Sequence, residues 1–435
     1  MSTTLAPDFT AQVDDAVLAG PAWLEGARRA AMVAFTELGY PTTRNEDWHY
    51  TNPSEVAEGG FSLGGRTTGK VTAADLHPFT FAQPWPLLVF VNGRFDAALS
   101  QLDALPAGMR VQPLSRAFAD DRTFLEPRLG AIAQFDEHAF TALNTAFMAD
   151  GAVIHVARGA EVASPVHLLF VSDADAEGTI VHPRVIIAAE RQSKATIVES
   201  WVALGQPRYV TNSVVEVDVA EGATVTHLKV QRESAEAFHV ATTQVNQAKD
   251  SHFVSFVYAS GAKLSRTNVY THLNGPGCGS TLNGLMLADG TQHLDVQTRI
   301  EHVAPDCYSR ELYKGVLDGA GHGVFNGKVY VHPEAQKTDG KQENHTLLLS
   351  DKATIDTKPQ LEIFADDVRC THGATIGRLD QTAEFYMKSR GIGAALARKL
   401  LVYAFAADVL ETVENAAVRS ALSQLVLQRF GVAEG

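Results

Sequence analysis

The sequence predicts a mainly β chain: a parallel β-helix core over residues 151–376, a helical and mixed region before it (1–150), and a helical region after it (377–435). Three observations lead there. Between about Gly151 and Asp367 the chain is a succession of short β-branched runs bounded by Gly, Ala, Asp and Ser, with no long helical pattern between them. Two tracks of residues recur at one interval. After Gly377 the apolar spacing changes from strand-like to helical.

The recurrence is the sharpest of these. Ala195, Ala223, Ser251 and Gly279 are evenly spaced, and each opens a turn followed by a strand-like run; Asp218, Asn246 and Asn274 keep the same interval near the ends of other runs. Two tracks sharing a period imply stacked coils, each burying its apolar side against the next. The runs are Val153 to Val156, Val166 to Val171, Val185 to Ile187, Val214 to Val219 and Val225 to Val230. A β-sandwich is the alternative, because alternating strands with turn signals read much the same.

Before the core, residues from about Ala11 to Glu55 carry helical signals, with Trp23, Leu24, Ala27, Ala31, Val33 and Phe35 near period 3.6 until Gly39-Tyr40-Pro41 breaks the pattern. A Gly-rich stretch and the strand-like Leu87 to Val91 follow. Beyond the core, Asp380 is the expected N-cap of a helix ending at Arg390-Gly391. Leu396, Leu400, Tyr403, Ala407 and Leu410 stripe a second helix, and Asn415 caps a third. This tail reads as separable from the core.

Composition narrows function. Thirty-six Lys and Arg against 50 Asp and Glu give a net charge of −14, which argues against nucleic acid, whose phosphates need clustered cations. No basic region followed by an apolar run opens the chain, and no eighteen apolar residues run together, so no membrane span and a cytoplasmic location are expected. Three cysteines, Cys278, Cys307 and Cys370, cannot staple a chain of 435 residues and are expected as thiols.

Among motifs, Gly64 to Val71 nearly matches a phosphate-cradling loop, but Val71 stands where a magnesium-binding hydroxyl is needed, so a surface turn is expected. His302, Asp306 and Cys307, or His322 and His332, lack the paired spacing of structural zinc sites. The segment Asp366 to Gly377 stands out. In an extended strand Cys370 and His372 share a face about 6 to 7 Å apart, a soft sulfur donor beside a nitrogen donor, suited to iron or copper and to persulfide chemistry. A buried structural cysteine with a hydrogen-bonded histidine is the plainer alternative.

Arg369-Cys-Thr-His-Gly-Ala-Thr-Ile-Gly377, then Leu379-Asp380, Phe385-Tyr386 and Ser389-Arg-Gly-Ile392, resembles the C-terminal hallmark of the SufB/SufD family of iron-sulfur cluster assembly proteins. Glu46-Asp-Trp-His-Tyr-Thr51 resembles its N-terminal signature. The SufB branch carries Glu after the corresponding His and a cysteine roughly one repeat earlier; Gly373 and, by rough alignment, Asn344 stand here, so the SufD branch is indicated. The resemblance implies a right-handed β-helix between helical regions and a non-catalytic subunit. It also implies a SufB-like partner joined through the ends of the two β-helices, and a SufC-like ABC ATPase bound by the C-terminal helices. His372, and more weakly Cys370, would then be ligands of iron or a transient iron-sulfur cluster. A reduced flavin in the assembled complex and a homodimer in the partner's absence are left open. A polysaccharide-active β-helix enzyme and a purely structural partner of the ATPase are the alternatives.

Overall fold

The computed structural model describes residues 20–65, 67–103 and 105–431. From Arg184 onward the strands alternate between two sheets, each strand pairing in parallel with the one two places later in sequence. This continuous parallel ladder makes a β-solenoid and removes the sandwich alternative, whose strands run antiparallel. Side chains alternate across each strand. One set, including Ile197, Trp201, Val225, Phe253, Leu282 and Phe325, fills the interior between the sheets.

The coils are not of one length. The ladder runs Lys194, Thr224, His252, Gly279, Tyr308, Asp339, Arg369, and its steps are uneven, shortest from His252 to Gly279 and longest from Tyr308 to Asp339. Ala223 stands over Ser251 as the evenly spaced track requires, but Ala195 pairs with Val225, and Ser251 stands under Cys278. Turns absorb the difference at little cost, whereas a one-residue slip inside a strand would turn its apolar row outward. The second track is a side-chain ladder: Asn246 Nδ2 donates to Asp218 Oδ1 at 2.9 Å, and Asn274 Nδ2 to Asn246 Oδ1 at 2.6 Å.

Helix α1 (Glu25–Leu38) packs on α2 (Ala139–Phe147) through Ala31, Met32, Phe35, Leu143 and Phe147. The expected stripe needs correction here. Ala27 and Val33 are exposed, while Arg28 is buried because its guanidinium donates to the carbonyls of Ala146 and Met148 at the end of α2. Residues 11–19 of that helical reading lie outside the described residues. Buried Arg184 and Glu216, 2.6 Å apart, tie this region to the solenoid: Glu216 accepts from the backbone N–H of Gly130, Ile132 and Ala133, and Arg184 donates to Asn144 of α2.

Helices α3 (Gln381–Ser389), α4 (Ala394–Leu410) and α5 (Ala416–Phe430) close the chain. Asp380 and Asn415 cap α3 and α5 as expected, accepting from Thr382 and Val418 N–H. The buried row of α4 is Ala397, Val402, Ala406, Val409 and Leu410, one position off the expected stripe at most points; Leu396 is exposed. Val402, Ala406, Val409 and Leu410, with Val418, Leu422 and Val426 of α5, cover Leu228, Val230, Phe256, Tyr258 and Leu285 on the outer face of one sheet. The tail is therefore packed onto the core, and removing it would bare that face to water. Of these three helices, α3 alone has no buried residue.

Candidate functional site

The strand Arg369–Gly377 is the last of the solenoid and the edge of its sheet; Thr354–Ile363 is the edge of the other. Among the described residues each pairs on one side only, with Asp339–Leu348 and His322–Val331 respectively. A parallel sheet ordinarily has both neighbours, so the unpaired row of backbone N–H and C=O groups on each edge strand is open to pairing by another chain. Nearly every residue of the last strand is exposed, and Ile363, Phe364 and Ile376 add apolar surface there, Ile376 being 51% exposed.

Cys370 and His372 both lie on this strand, paired with Gly340 and Gln342 of the preceding coil. Gly340 and Gln342 face the interior, so the two donors face the open mouth of the solenoid. Their surroundings differ. Cys370 packs against the apolar group of Val329, Val331, Leu361 and Val368, and burial pushes its thiol up from the ordinary range, away from the nucleophilic thiolate. His372 is exposed.

The other candidates disperse. His302 Nε2 meets Ser309 Oγ at 2.9 Å, His322 meets Asp356 at 2.7 Å, and His332 meets Glu301 at 3.4 Å. Asp306 occupies a positive-φ turn (φ 59°), and the buried Cys307 donates its thiol to the Gly275 carbonyl at 3.3 Å. Among the described residues no three His, Cys, Asp or Glu side chains converge as a metal site. The Gly-rich loop, one of whose residues (66) lies outside the described ones, joins the short strand Ser62–Leu63 to a single-turn helix, Ala73–Leu76. That helix is capped by its own Thr72 and Asp75, and Val71 packs beside Leu76 and Val89.

Sequence reasoning missed what the Glu46 to Thr51 signature does. Trp48 lies between Phe140, with ring centroids 5.3 Å apart, and the guanidinium of Arg266, 4.0 Å above the indole. Arg266 also donates to the Asp47 carbonyl and pairs with buried Asp295 at 2.7 Å, and Thr51 Oγ1 donates to the same carboxylate at 2.6 Å. The signature clamps the N-terminal region to the solenoid flank. Its partners Arg266 and Asp295 belong to strands in the middle of the core, far along the chain, so no local signal could show it.

Comparison with known proteins decides the lineage. The SufBD core domain of the SUF system for FeS cluster assembly matches residues 170–405, and the SufBD N-terminal region matches residues 9–168. The chain belongs to the SufBD family of iron-sulfur cluster assembly proteins. It is 36% identical over 411 residues to an iron-sulfur cluster assembly SufBD family protein of Synechocystis, covering 93% of this chain and 90% of the relative. It is 33% identical over 396 residues to the iron-sulfur cluster assembly protein SufD of Escherichia coli, covering 90% and 89%. With SufD of Bacillus subtilis the identity is 26% over 429 residues, covering 93% and 94%. No helix among the described residues is long and apolar enough to cross a membrane.

Proposed function

We propose that this SufBD-family chain is a SufD-type, non-catalytic scaffold subunit acting in the cytosol. Its open solenoid end pairs with a SufB-like subunit, and its C-terminal helices hold a SufC-like ATPase. The observation that carries this reading is the last coil: two unpaired strand edges with exposed Ile363, Phe364 and Ile376, and His372 among them. An exposed edge of this length is a hazard in a solitary protein and an asset in a pair.

The chemistry of the donors suits a shared site. A cluster takes about four soft ligands, whereas the last strand offers one imidazole and one half-buried thiol. Nascent cluster or iron, as cargo, would therefore be held by His372, and more weakly by Cys370, together with groups from the partner. For the ATPase, α3 supplies an unburied apolar surface, with Phe385 71% and Tyr386 59% exposed.

Co-expression of the three subunits tests both contacts at once. Ile376→Asp should lose the SufB-like subunit and keep the ATPase; Phe385→Asp should do the reverse. A full complement of partners on both variants would remove the reading.

A further inference from the structure

One interior position carries Glu311, Gln342 and His372 in three successive coils, each a ladder partner of the next. Ladder partners on adjacent parallel strands present their side chains to the same face about 4.8 Å apart. Glu311 is buried, and no cation is paired with it among the described residues. Instead Gln342 Nε2 donates to Glu311 Oε2 at 2.6 Å.

With the carboxyl ionised, that bond fixes the amide's direction, because only its NH2 group can donate to a carboxylate. With Nε2 turned toward Glu311, Oε1 is the amide atom left for the following coil, where the ladder places His372. Gln342 is 1% exposed, and its Oε1 has no hydrogen-bond partner among the described residues. A buried amide oxygen left unpaired is costly, and the neighbouring group able to donate on the open side is the imidazole. The fold also clears space for this amide: a Cβ at Gly327 would stand 2.2 Å from Gln342 Nε2, so no larger residue fits there without displacing it.

We propose that Gln342, braced by Glu311, is a positioning residue for His372, accepting one imidazole N–H and so leaving the other ring nitrogen bare and facing the open end of the solenoid. Ligating histidines usually have their second nitrogen held in this way, which sets the tautomer and ring orientation. The inference rests on the cluster-binding role of His372 proposed above and adds what orients it.

Selective 15N-histidine labelling of the full chain, with His372 assigned by difference against His372→Ala, reads the tautomer directly. The expected wild-type signature is one dominant tautomer, with one nitrogen protonated and one bare. Gln342→Met keeps the length and removes the acceptor; it should average the two nitrogens and weaken Fe2+ binding by the co-purified complex about 10- to 100-fold. Gln342→Glu keeps an acceptor and should restore the single tautomer. An averaged ring in the wild type, or an unchanged signature in Gln342→Met, would overturn the proposal. If Gln342→Met does not fold, the wild-type signature alone decides. The two readings fail separately. A wild-type cluster content in His372→Ala removes the ligand role and leaves the tautomer result standing, whereas an averaged ring with His372 still required removes only the positioning role.

Discussion

The two ends of the solenoid treat their sheet edges in opposite ways. At the N-terminal end the buried strand Leu87–Val91 extends one sheet and is covered by the antiparallel strand Arg94–Gln101. That covering edge is blunted: Asp96 turns its carboxylate onto the N–H groups of Ala98 and Leu99, and the pairing shifts register between Leu87 and Val89. The other sheet ends on Met109–Pro113, antiparallel to Gly151–Val156. At the C-terminal end neither edge strand is covered by a further strand among the described residues. A chain that blunts one end and leaves the other bare suits the pairing proposed for the bare end.

The interior shows the same contrast. Toward the closed end, buried Glu199 accepts from Trp201 Nε1 at 2.6 Å and lies 3.2 Å from Lys229 and 3.3 Å from His227. Toward the open end, buried Glu311 has an amide neighbour and no paired cation among the described residues. The first carboxyl is complete within the fold. The second heads a column that ends at solvent.

The largest effect is expected where the interior is closed. Burial alone would raise the Glu199 carboxyl, but Lys229 and His227 outweigh it and hold it below the usual range. Lys229→Met leaves that charge buried and uncompensated and should cost about 3 to 5 kcal/mol in urea unfolding. Because the folded carboxyl is depressed, the wild-type contribution is present above the unfolded pKa of about 4.5 and is lost as pH falls below it. A loss under about 1 kcal/mol would erase the contrast between the two interiors.

A smaller effect of opposite pH sense is expected at Glu311, whose carboxyl burial raises to about 7. The native state then holds its proton more tightly than the unfolded chain, so stability is full below the unfolded pKa of about 4.5 and is lost as pH rises through 7. Glu311→Gln stays neutral and keeps an oxygen for Gln342 to donate to. It should unfold at higher urea than wild type at pH 8, by up to about 3 kcal/mol, and match it near pH 5. Equal midpoints at both pH values would place Glu311 with Glu199 among the satisfied carboxyls.

Much of this was legible in the sequence. The β-branched runs, the coil repeat and the helix caps Asp380 and Asn415 read correctly because each is local chemistry. The strictly constant interval did not survive, since turn lengths vary while strand register does not. The α4 stripe moved because a helix between a sheet and α5 buries more than one face. Of the candidate site, Cys370 and His372 were visible as neighbours on one strand. Their unlike burial was not, since it depends on Leu361 and Val368 packing at the solenoid's last turn. Glu311 and Gln342 were hidden, although polar residues at interior positions are the signal a known register would have exposed.

The smallest structural effect, and the one that bears most on function, is expected at the last strand. His372 is exposed on an edge, where water can replace its proposed bond to Gln342, so His372→Ala should leave the stability of the isolated chain within about 0.5 kcal/mol of wild type. Under the role proposed for His372, cluster content of the assembled complex should nonetheless fall sharply, because a ligand and not a packing group would be lost. Cys370→Ser has the opposite balance. It places a hydroxyl among Val329, Val331 and Leu361 and should lower stability by about 1 kcal/mol while changing cluster content little, since that thiol is held protonated by burial. Measuring iron and sulfide per complex alongside melting separates the two. A destabilised His372→Ala with normal clusters would make the imidazole a structural residue, and the open end would then be a docking surface alone. Stable folding with few clusters at His372, beside weakened folding with normal clusters at Cys370, would assign the ligand to imidazole and the packing to sulfur on a strand where only Thr371 stands between them.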